Sequence, residues 1–115
     1  MFEIVNQEIN VESIIQKVSS PEAGAISTFI GVTRNFTGPY NVKYLFYEAY
    51  HSMSIKKMEQ IADEANKKFD IEKMAITHRI GKVEVEEASV VIAVSSAHRA
   101  AAFQACLLST SDAAD

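Results

Sequence analysis

The sequence predicts an α+β domain in two layers, a mostly antiparallel sheet packed by helices. Three observations lead there. Strand-like and helix-like stretches are interspersed within only 115 residues. Residues 52–69 carry apolar side chains at the three-and-four spacing of an amphipathic helix. The run from Val90 to Val94 has no polar interruption, as a strand covered on both faces requires.

In chain order, Phe2 to Val5 reads as a short edge strand. Asn10 can cap a helix whose stripe is Val11, Ile14, Ile15 and Val18, and Pro21 bars helix at the residue before it. Gly24 to Thr33 reads as a strand apolar on both faces. Arg34 to Asn41 has loop chemistry in Asn35, Gly38, Pro39 and Asn41. Val42 to Tyr50 alternates as a strand, with four aromatic residues that suit core or interface packing.

Ser52 to Phe69 is the clearest helix, with Ile55, Met58, Ile61, Ala62, Ala65 and Phe69 inward. Its charges form a solvated face with pairs such as Asp63–Lys67 and Glu64–Lys68. Met74 to Ile80 is a strand that Gly81 breaks, and Val83 and Val85 continue it briefly. The Ala88 strand gives way at Ser95, Ser96 and Ala97 to a turn, with Ser96 as the expected N-cap of a helix through His98 and Phe103. Ser109 to Ser111 are poor helix formers. A single domain over 1–106 is therefore expected, with 107–115 a divergent, frayed tail.

Composition narrows the function classes. The hydrophobic fraction of 48% and charged fraction of 23% are those of a globular chain. A net charge of −4 argues against a general nucleic-acid binder. Cys106 is the single cysteine and reads as a small buried hydrophobe, so neither a disulfide nor a cysteine metal cluster is expected. His51, His78 and His98 lack metal-ligand spacing. The N-terminus lacks a signal peptide's basic and apolar regions, and no apolar run approaches the roughly 18 residues of a membrane span. A cytoplasmic protein is the expectation.

The chemistry lies in cations at element ends. Arg34 follows a strand and opens a Gly/Pro loop, with Gly31 and Gly38 permitting close approach of a ligand. His98 and Arg99 stand where a buried strand meets a helix start, an anion-binding corner in which free N–H groups, the helix dipole and a guanidinium act together. His78 and Arg79 sit late in a strand and could extend the pocket. The bland alternative is that some of these arginines only pair with acids such as Glu48 or Glu86. Ser95 and Ser96 beside His98 lack a third orienting group, so hydrolase chemistry is not supported.

Four strings, Gly24-Ala-Ile-Ser-Thr-Phe-Ile-Gly-Val-Thr-Arg-Asn35, Tyr47-Glu-Ala-Tyr50, His78-Arg-Ile-Gly81 and Val94-Ser-Ser-Ala-His-Arg99, stand in order along the chain. Together they resemble the catalytic (large) subunit family of molybdopterin synthase, from about residue 2 to Cys106. The resemblance implies a hammerhead-type α+β fold and a homodimer. It also implies a small ubiquitin-like sulfur carrier at each end, giving a heterotetramer, whose C-terminal Gly-Gly thiocarboxylate enters the active site. The implied reaction adds two sulfurs to cyclic pyranopterin monophosphate, making the dithiolene of molybdopterin for molybdenum cofactor biosynthesis, with no resident cofactor. By position, Arg34, His98 and Arg99 match the family residues that bind the phosphate and pterin.

The family pattern continues past Cys106 with a segment carrying two catalytic lysines. In register the first falls near Ala114 and the second beyond Asp115, and neither is present. The catalytic residues are thus not identified in this chain. The alternative expectation is a truncated, non-catalytic homologue that binds carrier or precursor without turnover.

Overall fold

The computed structural model describes residues 1–48 and 51–113, with the side chains of 51–54 and 111–113 outside the description. The elements are β1 (Phe2–Val5), α1 (Val11–Val18), β2 (Ala25–Val32), β3 (Phe36–Thr37), β4 (Tyr40–Asn41), β5 (Tyr44–Tyr47), α2 (His51–Lys68), β6 (Lys73–Arg79), β7 (Gly81–Glu84), β8 (Ala88–Ser96) and α3 (Arg99–Ala113). Among them, no helix is long and apolar enough to cross a membrane.

The main sheet has four strands in the order β1-β6-β8-β2. β6 and β8, and β8 and β2, pair antiparallel, while β1 lies parallel to β6. β8 is buried along its whole length apart from a half-buried Ala88. Its alternate residues face two cores. Val90, Ile92 and Val94 pack with Met58, Ile61 and Ala65 of α2 and Ala105 and Cys106 of α3. Val91 and Ala93 pack with Ile14 and Val18 of α1. Helices therefore cover both faces of the sheet, where the sequence suggested one helical layer. An apolar run without alternation needs such a two-sided cover.

The capping and stripe expectations for the first two helices hold. Asn10 Oδ1 accepts a hydrogen bond from Ser13 N at 3.1 Å, closing the start of α1. Met58, Ile61, Ala62 and Ala65 of α2 are buried, and Glu64–Lys68 forms at 3.0 Å on its wet side.

Several elements differ from expectation. The 34–41 loop contains the small hairpin β3–β4, turned by Gly38 at φ +58°. β5 starts at Tyr44, and the expected strand end at 49–50 lies outside the described residues. It pairs with β7 in a separate two-stranded sheet, where Tyr44, Leu45 and Phe46 are exposed and form no core. β7 ends at Glu84, and Val85 belongs to the following turn. β2 is an edge strand, half-buried on one side and exposed on the other. Ile26 is 41% exposed and Val32 58%, because α1 covers the middle of the sheet and stops short of that edge.

The last helix holds two corrections. Ser95 and Ser96 form no turn. They are fully buried strand residues paired with Ile26 and Ala25. Ser96 Oγ donates to the His98 carbonyl, and α3 begins only at Arg99, so Ser96 is a strand residue and not the residue next to the helix start. Nor does the helix stop at Cys106: α3 continues to Ala113, and the rest of the expected frayed tail, 114–115, lies outside the described residues. Ser109 is 0% exposed, and its hydroxyl donates to Ala105 O at 2.8 Å. That bond satisfies the hydroxyl inside the helix, and packing overrides weak helix propensity.

Candidate functional site

The predicted site residues occupy both ends of the β2–β8 ladder. At one end Ala25 stands opposite Ser96, and His98 and Arg99 follow. The chain turns tightly here. Gly24 N donates to Ser96 O at 2.9 Å, and a Cβ on Gly24 would lie 2.4 Å from the Ala97 carbonyl oxygen. Only glycine allows this approach, which sets where α3 begins. The side chains of His98 and Arg99 are exposed at that start. No acidic residue lies in the first turn of α3, so no carboxylate there offsets the positive end of its dipole.

At the other end Val32 stands opposite Ala88, and the ladder is extended by Thr33. Thr33 N donates to Glu87 O at 3.1 Å, and Glu86 N donates to Thr33 O at 2.7 Å. Thr33 is buried, and Arg34 emerges next into solvent. The Arg34 guanidinium carbon lies 5.0 Å from the Phe36 ring centroid, a cation–π contact that orders the side chain over the hairpin.

The three cations do not converge within one chain. Ala25 to Val32 is seven residue steps, roughly 23 Å at the rise of an extended strand. That is well beyond an arginine's reach. The glycines near Arg34 also differ from expectation. A Cβ on Gly31 would meet Val90 Cγ1 at 2.8 Å, so the absence of a side chain there serves packing inside the sheet. Gly38 is open, and its role is the turn.

His78 and Arg79 are successive strand residues and face opposite sides of the sheet. They do not line one pocket. His78 meets Tyr47 edge-on at 5.7 Å between ring centroids, and burial holds its imidazole below its ordinary value. Arg79 is engaged structurally: its Nη2 donates to Lys82 O at 3.0 Å and its Nη1 lies 3.4 Å from Glu87 Oε1. The acid is Glu87, not the Glu86 expected from sequence.

A cleft of about 730 Å³ lies beside Tyr47, lined by Asn6, Phe46, Tyr47, Glu48, Ile80, Gly81 and Lys82. Sequence reasoning missed it, although Gly81 was a signal. Gly81 has φ +84°, and a Cβ there would lie 2.6 Å from Asn6 Oδ1, so this glycine closes the first strand's end onto the β6–β7 turn. Cys106 is buried as expected. Burial pushes its thiol above the ordinary value, and a hydrogen bond with Ser27 pulls the other way.

Comparisons with known proteins agree with this architecture. The family model described as MoaE protein matches residues 4–109. A molybdopterin synthase catalytic subunit from Bacillus subtilis is 50% identical over 104 residues, which are 90% of this chain and 66% of that relative. The chain thus spans about two thirds of that protein's length. A molybdopterin synthase structure from Staphylococcus aureus superposes with a TM-score of 0.94 at 38% identity, over 97% of this chain and 82% of that one. A chain of the Helicobacter pylori complex of subunits 1 and 2 of molybdopterin-converting factor shares the fold, with a TM-score of 0.75 at 16% identity over 90% of this chain and 70% of that one. The match reaches Ser109, three residues past the expected boundary at Cys106. A shared family model over most of the chain and a shared fold place this chain in the MoaE family, that of the molybdopterin synthase catalytic subunit.

Proposed function

We propose that this chain serves as the large subunit of a molybdopterin synthase, receiving sulfur from a thiocarboxylated small carrier and delivering it to cyclic pyranopterin monophosphate. Family membership supports the reaction class. The observation that carries the site is the placement of exposed cations at the two ends of one strand pair. A phosphate needs several donors around it. Since one chain cannot bring Arg34 to His98 and Arg99, the site is composite: Arg34 of one protomer meets His98 and Arg99 of its partner in a homodimer. Two such sites follow from two-fold symmetry. Each provides a guanidinium pair, an imidazole and a helix N-terminus for the phosphate and pterin. In this reading the small carrier brings the sulfur to this site.

The test is precursor binding by single and mixed variants. R34A and the double variant H98A/R99A should each weaken binding of cyclic pyranopterin monophosphate about 10- to 100-fold. Mixing the two preparations and allowing exchange should restore high affinity at about a quarter of the sites, because half the dimers then carry one intact site. Unchanged affinity in either variant overturns the anion site. Loss without recovery on mixing overturns the composite arrangement.

A second reading is favoured by one feature: no lysine stands near Ala114, where the family resemblance places the first catalytic one. In it the 115-residue chain binds precursor and carrier without turnover. Incubation with thiocarboxylated carrier and precursor separates the two, since dithiolene product supports the synthase and bound, unconverted precursor supports the binder.

A further inference from the structure

The Arg79 side chain is 13% exposed and sits on the side of β6 away from α2 and α3. It joins strand β7, through Lys82 O at 3.0 Å, to the turn that follows it, through Glu87 Oε1 at 3.4 Å. The same Glu87 carboxylate oxygen accepts Glu84 N at 2.9 Å, and Glu87 N donates to Glu84 O at 3.0 Å. Glu86 between them has φ +75°, a left-handed conformation that a glutamate adopts only when its surroundings impose it. This constrained turn supplies both backbone partners of Thr33, through Glu87 O and Glu86 N. Thr33 is the last anchored residue before Arg34.

We infer that Arg79 and Glu87 form a strut that positions Arg34 for the anionic substrate. The inference deepens the proposed function and rests on it. The partly buried ion pair holds the turn in its left-handed form, the turn holds Thr33 by two hydrogen bonds, and Thr33 sets the direction in which Arg34 leaves the sheet. Arg79 does not touch substrate. It is a positioning residue, held by one hydrogen bond from Nη2 and the ion pair to Glu87, while its Nε and Nη1 make no hydrogen bond. The β7–β8 turn thus acts as part of the substrate site from the far side of the strand that carries it.

The experiment is a double-mutant cycle read by equilibrium binding of cyclic pyranopterin monophosphate to the full chain. R79M should weaken binding on the order of ten-fold, since misplacing a binding group by about an ångström has effects of at least that size. E87Q, which preserves shape and removes the charge, should weaken it in the same direction by less. In the R34A background, R79M should change affinity less than about two-fold, because the group it positions is gone. A merely structural role predicts the same loss with or without Arg34. The inference is overturned if the R79M and R34A losses multiply, or if R79M and E87Q bind as the parent does while R34A is weakened. Unchanged binding in R34A overturns the anion-site reading itself, and this inference with it. Should R79M fail to fold, the E87Q and R34A cycle gives the same decision.

Discussion

The two ends of the β2–β8 ladder present similar cations but support them differently. At the α3 end the constraint is backbone packing: Gly24 lies against the Ala97 carbonyl, and Gly24 N meets Ser96 O. At the Arg34 end it is electrostatic and conformational: the Arg79–Glu87 pair holds a turn with a left-handed Glu86. Close packing tolerates no added atom but is indifferent to salt. A partly exposed ion pair tolerates small changes of shape and weakens as charges are screened. The difference teaches that similar cations at the two ends of one strand pair need not share a physical basis.

The comparison can be sharpened by substitution. The largest effect belongs to the seat of α3. Ser109→Pro should cost about 3 kcal/mol or more, since proline removes a helix hydrogen bond and clashes with the preceding turn at a buried position. Chemical denaturation measures it, and a loss near zero would mean that α3 does not hold its end through Ser109. Next is Gly24→Ala, which should cost about 1–3 kcal/mol by forcing backbone apart. Its counterpart Gly38→Ala meets open space and bears only the cost of φ +58°, about 1 kcal/mol. Equal losses at the two glycines would erase the distinction between a packed end and an open one.

The smallest effect concerns pH. Burial lowers the pKa of His78 in the folded chain from an ordinary value of about 6.5. The unfolded chain therefore takes up the proton first as pH falls. Stability is full above about 6.5 and declines as pH drops through the folded value. His78→Gln should flatten the melting temperature between about pH 5 and 7, relative to the parent. An unchanged slope would show that His78 is not desolvated beside Tyr47.

Much of this was legible from local pattern. The uninterrupted Val90 to Val94 run required cover on both faces, and two cores provide it. The stripe of α2 and the Asn10 cap followed from spacing and side-chain chemistry. Other features turned on distant partners. Ile26 and Val32 look like core residues, yet their exposure depends on how far α1 reaches across the sheet. Ser95 and Ser96 have turn-like chemistry, but pairing with Ile26 and Ala25 keeps them extended. Ser109 has low helix propensity, which burial and a bond to Ala105 outweigh.

The candidate site divides the same way. Residue identity and order alone determined that Arg34, His98 and Arg99 stand at element ends, because turn chemistry and hydrophobic runs mark where strands stop. They also carried the family resemblance, which rests on four ordered strings and not on spatial contacts. Only the tertiary structure decided that the cations lie at opposite ends of an antiparallel pair. Only it turned Arg79 inward onto Glu87. The physical reason is that strand direction and register are set by hydrogen bonds between residues far apart in the chain, about seventy positions in the case of Ala25 and Ser96. A linear pattern records which residues end an element, and the pairing of elements decides which ends meet.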